Sequence, residues 1–293
     1  MAKKNMVYLN GKFVDSKKAS VSIFDHGLLY GDGVFEGIRA YDGIVFKLKE
    51  HIKRLYESAA SIRLNISISP KDMISAVVTT LRKNNLKDAY IRLIVTRGIG
   101  DLGLDPRKCK GKSSIIIITD KIVLYPKAFY ENGLNIITAK TRRNSPTAIH
   151  PKVKSLNYLN NILGKIDAID AGVNEAIMLT DAGYVSECTG DNIFIIKKGK
   201  LITPIASIGL LEGITRDTVM RIASKLGIEV IEKKFKLNEI YKADECFLTG
   251  TAAELIPVVK VDKKIINTGK PGPITAVLLH YFRKATVREG VKL

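Results

Sequence analysis

The sequence predicts an α+β protein of two domains, and three observations lead to this prediction. The chain has 293 residues, 46% of them hydrophobic, which is enough to bury one large core or two smaller ones. Runs with strand character and runs with helical periodicity occur in both halves of the chain. A polar connection separates two strand-like runs near the middle. We therefore expect a smaller N-terminal α/β domain over residues 1–122, a connection over residues 123–132 and a larger C-terminal domain over residues 133–293.

The first half begins with a hairpin and continues with two helices. Asn10-Gly11, between the apolar-rich runs of residues 7–14, is a strong signal for a β-hairpin. Apolar residues recur at steps of three and four over residues 48–62, which predicts an amphipathic helix. Pro70 suits the first turn of a second helix over residues 70–83. Strand-like runs follow at residues 90–96 and 114–119.

The second half is predicted to contain two more strands, a second hairpin and three helices. The hairpin turns at Lys197-Lys198-Gly199, between the strand-like residues 192–196 and 200–203. The other strands are expected at residues 134–139 and 176–180. Helices are expected at residues 157–171, 216–226 and 274–285.

The net charge of +18 is high, but its distribution does not favour a nucleic-acid partner. A nucleic-acid-binding protein concentrates such charge in arms, runs or one helix face. Here the lysines are scattered singly and in pairs, with Asp and Glu among them. This distribution favours a lysine-rich proteome, with a mild attraction for small anionic molecules as a by-product.

A membrane protein and a metal site are also disfavoured. No apolar run is long enough to span a bilayer, and the N-terminal residues lack the apolar stretch and cleavage site of a signal peptide. The three cysteines are widely spaced without a C-x-x-C pair, and the four histidines share no metal-ligand spacing. We therefore expect no metal and no membrane partner, and a location in the reducing cytoplasm.

The sequence contains the residue pattern of a dinucleotide-binding motif but lacks the helix that should follow it. Gly98-Ile-Gly100-Asp-Leu-Gly103 matches G-x-G-x-x-G, but the third glycine of a functional motif must open a helix. Pro106 and a stretch without helical periodicity follow instead. We expect a loop here and not a Rossmann fold.

Several other features suit a phosphorylated ring cofactor, although each also has an ordinary structural explanation. Gly213-Ile-Thr-Arg-Asp leads into a helix with Thr215 as the expected N-cap, and such a junction offers free N–H groups to phosphate. Thr249-Gly-Thr-Ala-Ala-Glu254 is a small-residue turn that a ligand can approach closely. Glu187, expected just after a strand, and Arg54, on the first predicted helix, are charges that spacing alone does not distinguish from surface charges.

The same limit applies to two lysines just before the helix predicted from residue 157. Lys152 and Lys154 are two residues apart, so in a strand both point to the same face. Periodicity does not choose between them as a nucleophile.

A family resemblance resolves these choices. The chain resembles the class IV, fold-type IV pyridoxal-phosphate aminotransferases, and most closely the branched-chain amino-acid aminotransferases. The resemblance extends from about residue 7 to beyond residue 257. The motifs that carry it, in family order, are His26-Gly-Leu-Leu-Tyr30-Gly-Asp-Gly-Val-Phe35-Glu-Gly-Ile-Arg39, His51-Ile-Lys-Arg54-Leu-Tyr-Glu-Ser-Ala59, Ala89-Tyr90-Ile-Arg92, Lys154-Ser-Leu-Asn-Tyr158, Tyr184-Val-Ser-Glu187, Gly213-Ile-Thr-Arg-Asp217 and Gly250-Thr-Ala-Ala-Glu254.

The resemblance implies two α/β domains with pyridoxal 5'-phosphate at their interface, the larger domain being the cofactor-binding one. It implies that Lys154 is catalytic and forms the aldimine with the cofactor, and that Glu187 pairs with the ring nitrogen. It further implies that Tyr158 reaches the ring hydroxyl and that Arg54 binds the phosphate. The remaining phosphate ligands implied are Ile214, Thr215 and Thr251.

The resemblance also implies the substrate side and the assembly. The residues implied to contact the substrate are Tyr30, Phe35, Arg39, Tyr90, Arg92, Thr251 and Ala252. The loop at residues 98–103 resembles a segment that reaches a neighbouring active site, which implies a homodimer or a dimer-based higher oligomer. The implied reaction transfers the amino group of leucine, isoleucine or valine to 2-oxoglutarate in a ping-pong cycle.

Two other branches of the family and one unrelated class stay open. Lys154-Ser-Leu-Asn also resembles the D-amino-acid aminotransferases and the aminodeoxychorismate lyases. Cys188-Thr-Gly-Asp191 and Leu211-Glu212 depart from the spelling usual in bacterial branched-chain enzymes. The absence of Arg-x-His after Arg97 argues against the D-amino-acid branch. A basic nucleic-acid-binding protein on a degenerate enzyme fold is the remote alternative.

Overall fold

The computed structural model describes residues 5–121 and 125–293. Its strands are, in chain order, β1 Met6–Leu9, β2 Lys12–Asp15, β3 Gly33–Tyr41, β4 Ile44–Phe46, β5 Ala89–Thr96, β6 Ser114–Asp120, β7 Leu134–Thr138, β8 Ala176–Leu179, β9 Val185–Cys188, β10 Asn192–Lys197, β11 Lys200–Pro204, β12 Val230–Lys233, β13 Glu245–Gly250, β14 Glu254–Val261, β15 Lys264–Ile265 and β16 Gly290–Lys292. Its α-helices are α1 His26–Tyr30, α2 Leu48–Ser61, α3 Pro70–Lys83, α4 Lys127–Asn132, α5 Leu159–Asp170, α6 Ile214–Lys225, α7 Leu237–Tyr241 and α8 Pro273–Thr286. Short 3₁₀ helices lie at Ser16–Lys18, Pro106–Lys108 and Ala206–Ile208.

The elements predicted from the sequence are confirmed, with small shifts at their ends. The helix expected at 70–83 is α3, which starts at Pro70 because the Ser69 hydroxyl accepts the N–H of Asp72. Both hairpins are present, as β1–β2 and β10–β11. One capping prediction is wrong: the N-cap of α6 is Gly213, and Thr215 lies within the first turn, buried.

The chain divides into two compact units. Of the described residues, unit 1 contains 5–121, 153–157 and 286–293, and unit 2 contains 125–152 and 158–285. The predicted boundary at residue 122, together with residues 123 and 124 of the predicted connection, lies outside the described residues.

Two short segments join unit 1 from the second half of the chain, which the sequence-based division did not foresee. Backbone hydrogen bonds explain both: the N–H of Phe35 donates to the carbonyl of Lys154, and β16 pairs with β4. Within the described part of the predicted connection, residues 127–132 form α4.

Unit 1 is built on one antiparallel sheet with the strand order β16-β4-β3-β5-β6-β1-β2. Its core consists of α2 and α3 packed on one face of this sheet, through residues such as Ile38, Leu55 and Leu81. Side chains alternate between the two faces along a strand. Val34, Ile38 and Ala40 therefore enter the helix-covered core, whereas Phe35 and Arg39 lie on the opposite face.

Unit 2 contains a mixed sheet with the order β12-β11-β10-β13-β14-β7-β8-β9, and β15 pairs with β14. β7 is parallel to both of its neighbours, β14 and β8, whereas β13 is antiparallel to β10 and β14. Its central strands are buried along almost their whole length, and Phe194 stacks on Phe247 across β10 and β13. The centre of this sheet therefore forms a continuous buried core.

The G-x-G-x-x-G segment is a loop, as expected. Residues 97–105, all within the described chain, contain no helix, and Ile99 forms an isolated bridge with Asp25. The sheet from which this loop emerges is antiparallel, so it lacks the parallel strands of a dinucleotide-binding fold. Within the described residues, no helix has the length and apolar character needed to cross a membrane.

Candidate active site

The predicted nucleophile, Lys154, is held by its backbone against β3 and α2 in unit 1. Its carbonyl accepts the N–H of Phe35 at 3.0 Å, and its own N–H donates to the Ser58 hydroxyl at 3.2 Å. Its half-buried side chain places Nζ 4.7 Å from the centroid of the Phe35 ring. Backbone bonds on both sides fix the point from which this amine projects.

Lys152 has a different environment, in unit 2. Its side chain is 64% exposed and its Nζ lies 3.0 Å from Oε2 of Glu212. Such a pair is an ordinary surface ion pair. The structure therefore separates the two lysines that periodicity left equivalent.

Arg54 projects from α2 and binds the carboxylate of Glu36. Its Nε donates to Oε1 and its Nη2 donates to Oε2, each at 2.8 Å, which is a bidentate contact. Nδ1 of His51, one helical turn earlier, lies 2.7 Å from Oε2 of the same carboxylate. Glu36 is on the helix-covered face of β3 and is completely buried.

The pKa values of this cluster follow from burial and from its charges. Burial alone raises the pKa of Glu36, but the charges of Arg54 and His51 and their hydrogen bonds outweigh burial and hold that pKa well below its usual range. For His51, burial lowers the pKa and outweighs the attraction of Glu36. The cluster is therefore a guanidinium and a carboxylate braced by a neutral imidazole near pH 7.

Four of the residues predicted to contact substrate lie together on the face of the unit 1 sheet opposite α2 and α3. Arg39 is paired with Tyr90, and Gly37 with Arg92, in the register of β3 and β5. The Arg92 guanidinium lies 4.7 Å from the Phe35 ring centroid and donates to the Tyr90 hydroxyl at 3.0 Å. Because Lys154 Nζ faces the same Phe35 ring, this aromatic and cationic surface adjoins the predicted nucleophile.

Gly37 makes this arrangement possible. A Cβ placed on Gly37 would overlap the Tyr90 hydroxyl, so the absence of a side chain lets the Tyr90 ring lie across β3. Arg39 stacks over Tyr41, 4.1 Å from its ring centroid, and is buried. Tyr30, at the end of α1, is exposed and donates its hydroxyl to the carbonyl of Leu102 in the loop that follows β5.

In unit 2, Glu187 is a buried carboxylate within β9, not after a strand as the sequence suggested. It accepts Nε–H of Arg143 at 2.8 Å and the backbone N–H of Leu211 at 3.0 Å. The amide of Asn192 lies 3.4 Å away. The carboxylate is thus fixed by one charged and two neutral donors.

The bond to Leu211 links Glu187 to the start of α6. Asn192 also donates to the carbonyl of Leu211, at 2.8 Å, and a Cβ on Gly213 would overlap its side-chain oxygen. The first residues of α6 are Ile214 and Thr215, the predicted phosphate ligands. A carboxylate and a helix N-terminus that favours anions are therefore joined through one short segment.

The third predicted phosphate-binding segment is the turn between β13 and β14. Thr251 and Ala252 lie in this turn, and the preceding Gly250 approaches Asp191 so closely that a Cβ would overlap its carboxylate. Glu254 closes the turn with φ +57° and binds Nε of Arg283 at 2.9 Å. Within the described residues, the buried Thr249 hydroxyl has no hydrogen-bond partner. This turn therefore combines small residues with an unsatisfied donor.

Tyr158 is the N-cap residue of α5 and is half-buried. The neighbouring Asn160 and Asn161 accept from Nη1 of Arg143, at 2.9 and 3.2 Å. The start of α5 is thus tied to the guanidinium that also holds Glu187.

Sequence reasoning missed three residues of these clusters: Arg143, Glu36 and His51. Arg143 follows another arginine in a segment without helix or strand. The residues around it do not indicate a functional role. Glu36 and His51 stand inside the motifs that identify the family, but their spacing gave no role to either. Each is defined only by a contact distant in sequence.

Comparison with known proteins agrees with the predicted family. The model of amino-transferase class IV matches residues 33–261. A Methanocaldococcus jannaschii protein provisionally named a branched-chain-amino-acid aminotransferase is 55% identical over 287 residues, which cover 98% of each chain. The crystal structure of the Escherichia coli branched-chain amino acid aminotransferase superposes with a TM-score of 0.93 at 36% identity, covering 96% of this chain and 94% of that one. The branched-chain amino acid aminotransferase from Thermobaculum terrenum, in its PLP-bound holo form, gives a TM-score of 0.88 at 30% identity, covering 98% of this chain and 95% of that one.

Proposed function

We propose a transaminase function for this chain, which belongs to the amino-transferase class IV family. Its reaction transfers the amino group of a branched-chain L-amino acid (leucine, isoleucine or valine) to 2-oxoglutarate, giving a 2-oxo acid and L-glutamate. Relatives and solved neighbours named for branched-chain amino acids support this substrate class. The cofactor is pyridoxal 5'-phosphate.

One observation carries the proposal: the Glu187 carboxylate is joined to the start of α6 through Leu211. Pyridoxal phosphate requires both kinds of group. Its protonated ring nitrogen pairs with a carboxylate, and its phosphate accepts hydrogen bonds from N–H groups. The unsatisfied Thr249 hydroxyl and the small-residue turn beside it suit a phosphorylated ligand as well. The residues of unit 2 therefore fit the cofactor.

We assign the cofactor contacts accordingly. Glu187 holds a proton on the ring nitrogen, and Tyr158 donates to or accepts from the ring hydroxyl. Arg54 binds the phosphate through charge-assisted hydrogen bonds. The other phosphate ligands are Ile214, Thr215 and Thr251. When bound, the cofactor supplies an electron sink for the bonds of the substrate α-carbon.

Lys154 performs the chemical steps that fall to the protein. Its amine would hold the cofactor and would be the group that a substrate amine displaces. Lys154 Nζ would then be the base that takes and carries the proton of the substrate α-carbon. Over the whole cycle the amino acid leaves as its 2-oxo acid and 2-oxoglutarate leaves as L-glutamate, so no net oxidant is consumed.

The face of the unit 1 sheet opposite α2 and α3 is assigned to the substrate. Phe35 and Tyr90 offer an apolar surface to an aliphatic side chain, while Arg39 and Arg92 supply positive charge for a carboxylate. Tyr30 completes this side, and the amides of Thr251 and Ala252 take the α-carboxylate. One surface then serves two substrates, an aliphatic amino acid and an acidic 2-oxo acid.

A spectroscopic assay tests the function directly. The purified protein is expected to be yellow, and L-leucine should bleach this absorbance while the 2-oxo acid accumulates. D-alanine serves as the second donor, and pyruvate release from aminodeoxychorismate is measured without an amino acceptor. Bleaching by D-alanine but not by L-leucine contradicts the substrate class, and release of pyruvate identifies a lyase. A colourless protein retained on DNA in a salt-sensitive way contradicts the enzyme function altogether.

We propose in addition that the enzyme is a cytoplasmic homodimer or a dimer-based oligomer. Ile99, Leu102 and Leu104 in the loop after β5 are 57 to 79% exposed, which is costly for large apolar side chains in a monomer. The exposed face of α5 carries more large apolar side chains: Leu159, Ile162, Leu163, Ile166 and Ile169. Light scattering of the purified protein tests the assembly, and a monomer at micromolar concentration contradicts it.

The location in the cytoplasm is supported by the cysteines. All three are free thiols, which suits a reducing compartment.

A further inference from the structure

We infer that Glu36 is a positioning residue that fixes the guanidinium of Arg54 for the cofactor phosphate, with His51 bracing the carboxylate. This inference rests on the proposed function, in which Arg54 is a phosphate ligand. It adds two residues that touch neither substrate nor cofactor but determine how tightly and how specifically the phosphate is held.

The geometry restricts Arg54 strongly. A bidentate contact fixes the plane of a guanidinium as well as its position, because both N–H bonds must align with the two carboxylate oxygens. The two bonds are 2.8 Å each, and Glu36 lies in the middle of β3, which is paired along its length with β5. Arg54 is thereby tied to the most regular part of the unit 1 sheet.

His51 restricts the carboxylate in turn. Its Nδ1 lies 2.7 Å from Oε2, the same oxygen that receives Nη2 of Arg54, and its ring is 2% exposed. His51 and Arg54 are three residues apart on α2, so both side chains reach Glu36 from one face of the helix. Glu36 has no room to turn away from Arg54.

Stability does not explain the presence of this carboxylate. The other residues on this face of β3, among them Val34, Ile38 and Ala40, are fully buried and apolar. Replacing a buried ion pair by apolar residues is often neutral or stabilising, since the desolvation of two charges is expensive. A charge kept in an apolar core therefore indicates a requirement beyond packing, and the nearby group that needs exact placement is Arg54.

His51 also lies within electrostatic reach of Lys154. A second cation at position 51 would repel both the lysine and the arginine. Burial keeps the imidazole neutral near pH 7, so His51 supplies a hydrogen bond without adding a charge beside Lys154.

The test compares the binding of pyridoxal 5'-phosphate with that of pyridoxal, which lacks the phosphate. The apoenzyme is titrated with each ligand by absorbance, and the ratio of the two Kd values measures phosphate recognition alone. For Glu36→Gln we expect the Kd of pyridoxal phosphate to rise at least about tenfold, as for loss of an orienting partner behind a ligand-binding group, with little change for pyridoxal. His51→Gln should weaken phosphate recognition by a smaller factor.

Glu175→Gln is the matched control. Glu175 is another buried carboxylate, which accepts the N–H of Ala176 and of Thr189 in unit 2 and has no part in the proposed chemistry. The ratio of the Kd values for pyridoxal 5'-phosphate and pyridoxal should be the same in Glu175→Gln as in the wild type. If Glu36→Gln does not fold, Glu36→Asp carries the same test, because a shortened side chain keeps the charge but loses the bidentate fit.

The outcomes separate the inference from the proposed function. An unchanged ratio in the folded Glu36 variant, or equal weakening of both ligands, overturns the positioning role. A wild-type protein that binds pyridoxal phosphate no better than pyridoxal instead contradicts the assignment of Arg54 as a phosphate ligand.

Discussion

Arg143 donates from Nε to Oε1 of Glu187 over 2.8 Å, and both side chains are more than nine-tenths buried. The two residues are 44 positions apart in the chain. The pair places a fixed positive charge behind the carboxylate assigned to the cofactor ring nitrogen. It therefore fixes the position of the Glu187 carboxylate through a charge-assisted hydrogen bond.

Arg143→Met tests this relationship. The substitution keeps an unbranched side chain but leaves the buried carboxylate without its charged partner, so we expect a loss of about 3–5 kcal/mol in the free energy of unfolding of the apoprotein. Urea denaturation measures this loss. Arg143→Met combined with Glu187→Gln should recover most of the stability but not the transaminase activity, because the neutral amide cannot hold the ring proton.

The surface pair Lys152 and Glu212 is the control for this experiment. Lys152→Met removes an ion pair of similar length, 3.0 Å, but its lysine is 64% exposed. We expect a change of less than about 1 kcal/mol. A large loss of stability in Lys152→Met, or none in Arg143→Met, contradicts the distinction between the two pairs.

The second prediction separates the two lysines near residue 153. Lys154→Ala should lose both the yellow absorbance of the cofactor complex and transamination, because it removes the amine proposed to bond to the cofactor. Lys152→Ala should retain both. Thermal unfolding of the apoproteins should differ little from the wild type, since Lys154 is half-buried and its backbone contacts do not depend on its side chain. Near-normal turnover by Lys154→Ala would contradict the assignment.

The local elements of the fold were predictable because their signals are local. Ser69 and Pro70 define the start of α3 through one hydrogen bond and one fixed φ angle. The start of α6 was misplaced because Thr215 has the side chain of a good N-cap, whereas Gly213 has the extended backbone that the cap position requires. Side-chain type favoured Thr215 as the N-cap and backbone conformation favoured Gly213, and the observed N-cap is Gly213.

The candidate site was predictable only through family resemblance. The contact of Glu36 with Arg54 joins strand β3 to helix α2, and Arg143 reaches Glu187 across unit 2. Periodicity reports which face of an element is buried, not which distant charge will lie opposite. The return of residues 153–157 to unit 1 has no local signal either, because it depends on backbone pairing with β3.

The third prediction concerns the substrate surface. Gly37→Ala would place a Cβ against the Tyr90 hydroxyl, so the Tyr90 ring must move and its contact with Arg92 is lost. We expect KM for L-leucine to rise about tenfold, equivalent to about 1.4 kcal/mol of binding energy, with a smaller change in kcat. Initial-rate kinetics measure both constants.

Gly111→Ala is the control for the added methyl group. Nothing lies within 4 Å of a Cβ built at Gly111, so this variant should match the wild type. Unchanged kinetics in Gly37→Ala would show that Tyr90 does not shape the substrate surface.

The fourth prediction concerns how stability depends on pH. The folded-state pKa of His51 is lower than its ordinary value of 6.5 because the ring is buried. In the unfolded chain His51 takes up a proton as the pH falls below about 6.5, whereas in the folded protein it resists protonation. The unfolded state thus binds more protons, and the free energy of unfolding must fall as the pH falls from about 6.5 towards the folded-state pKa.

Glu36 acts at lower pH and in the same direction. Its folded-state pKa is depressed, so its contribution is complete above about pH 4.5 and decreases below that value. The two contributions therefore occupy successive pH ranges. His51→Gln should remove only the upper one, giving a flatter curve between about pH 6.5 and pH 5 than the wild type. Urea denaturation of the apoprotein at half-unit pH steps measures both curves, and His280→Gln, at an exposed position, is the control that should follow the wild type. If His51→Gln keeps the wild-type slope in this range, the imidazole is not held neutral by burial.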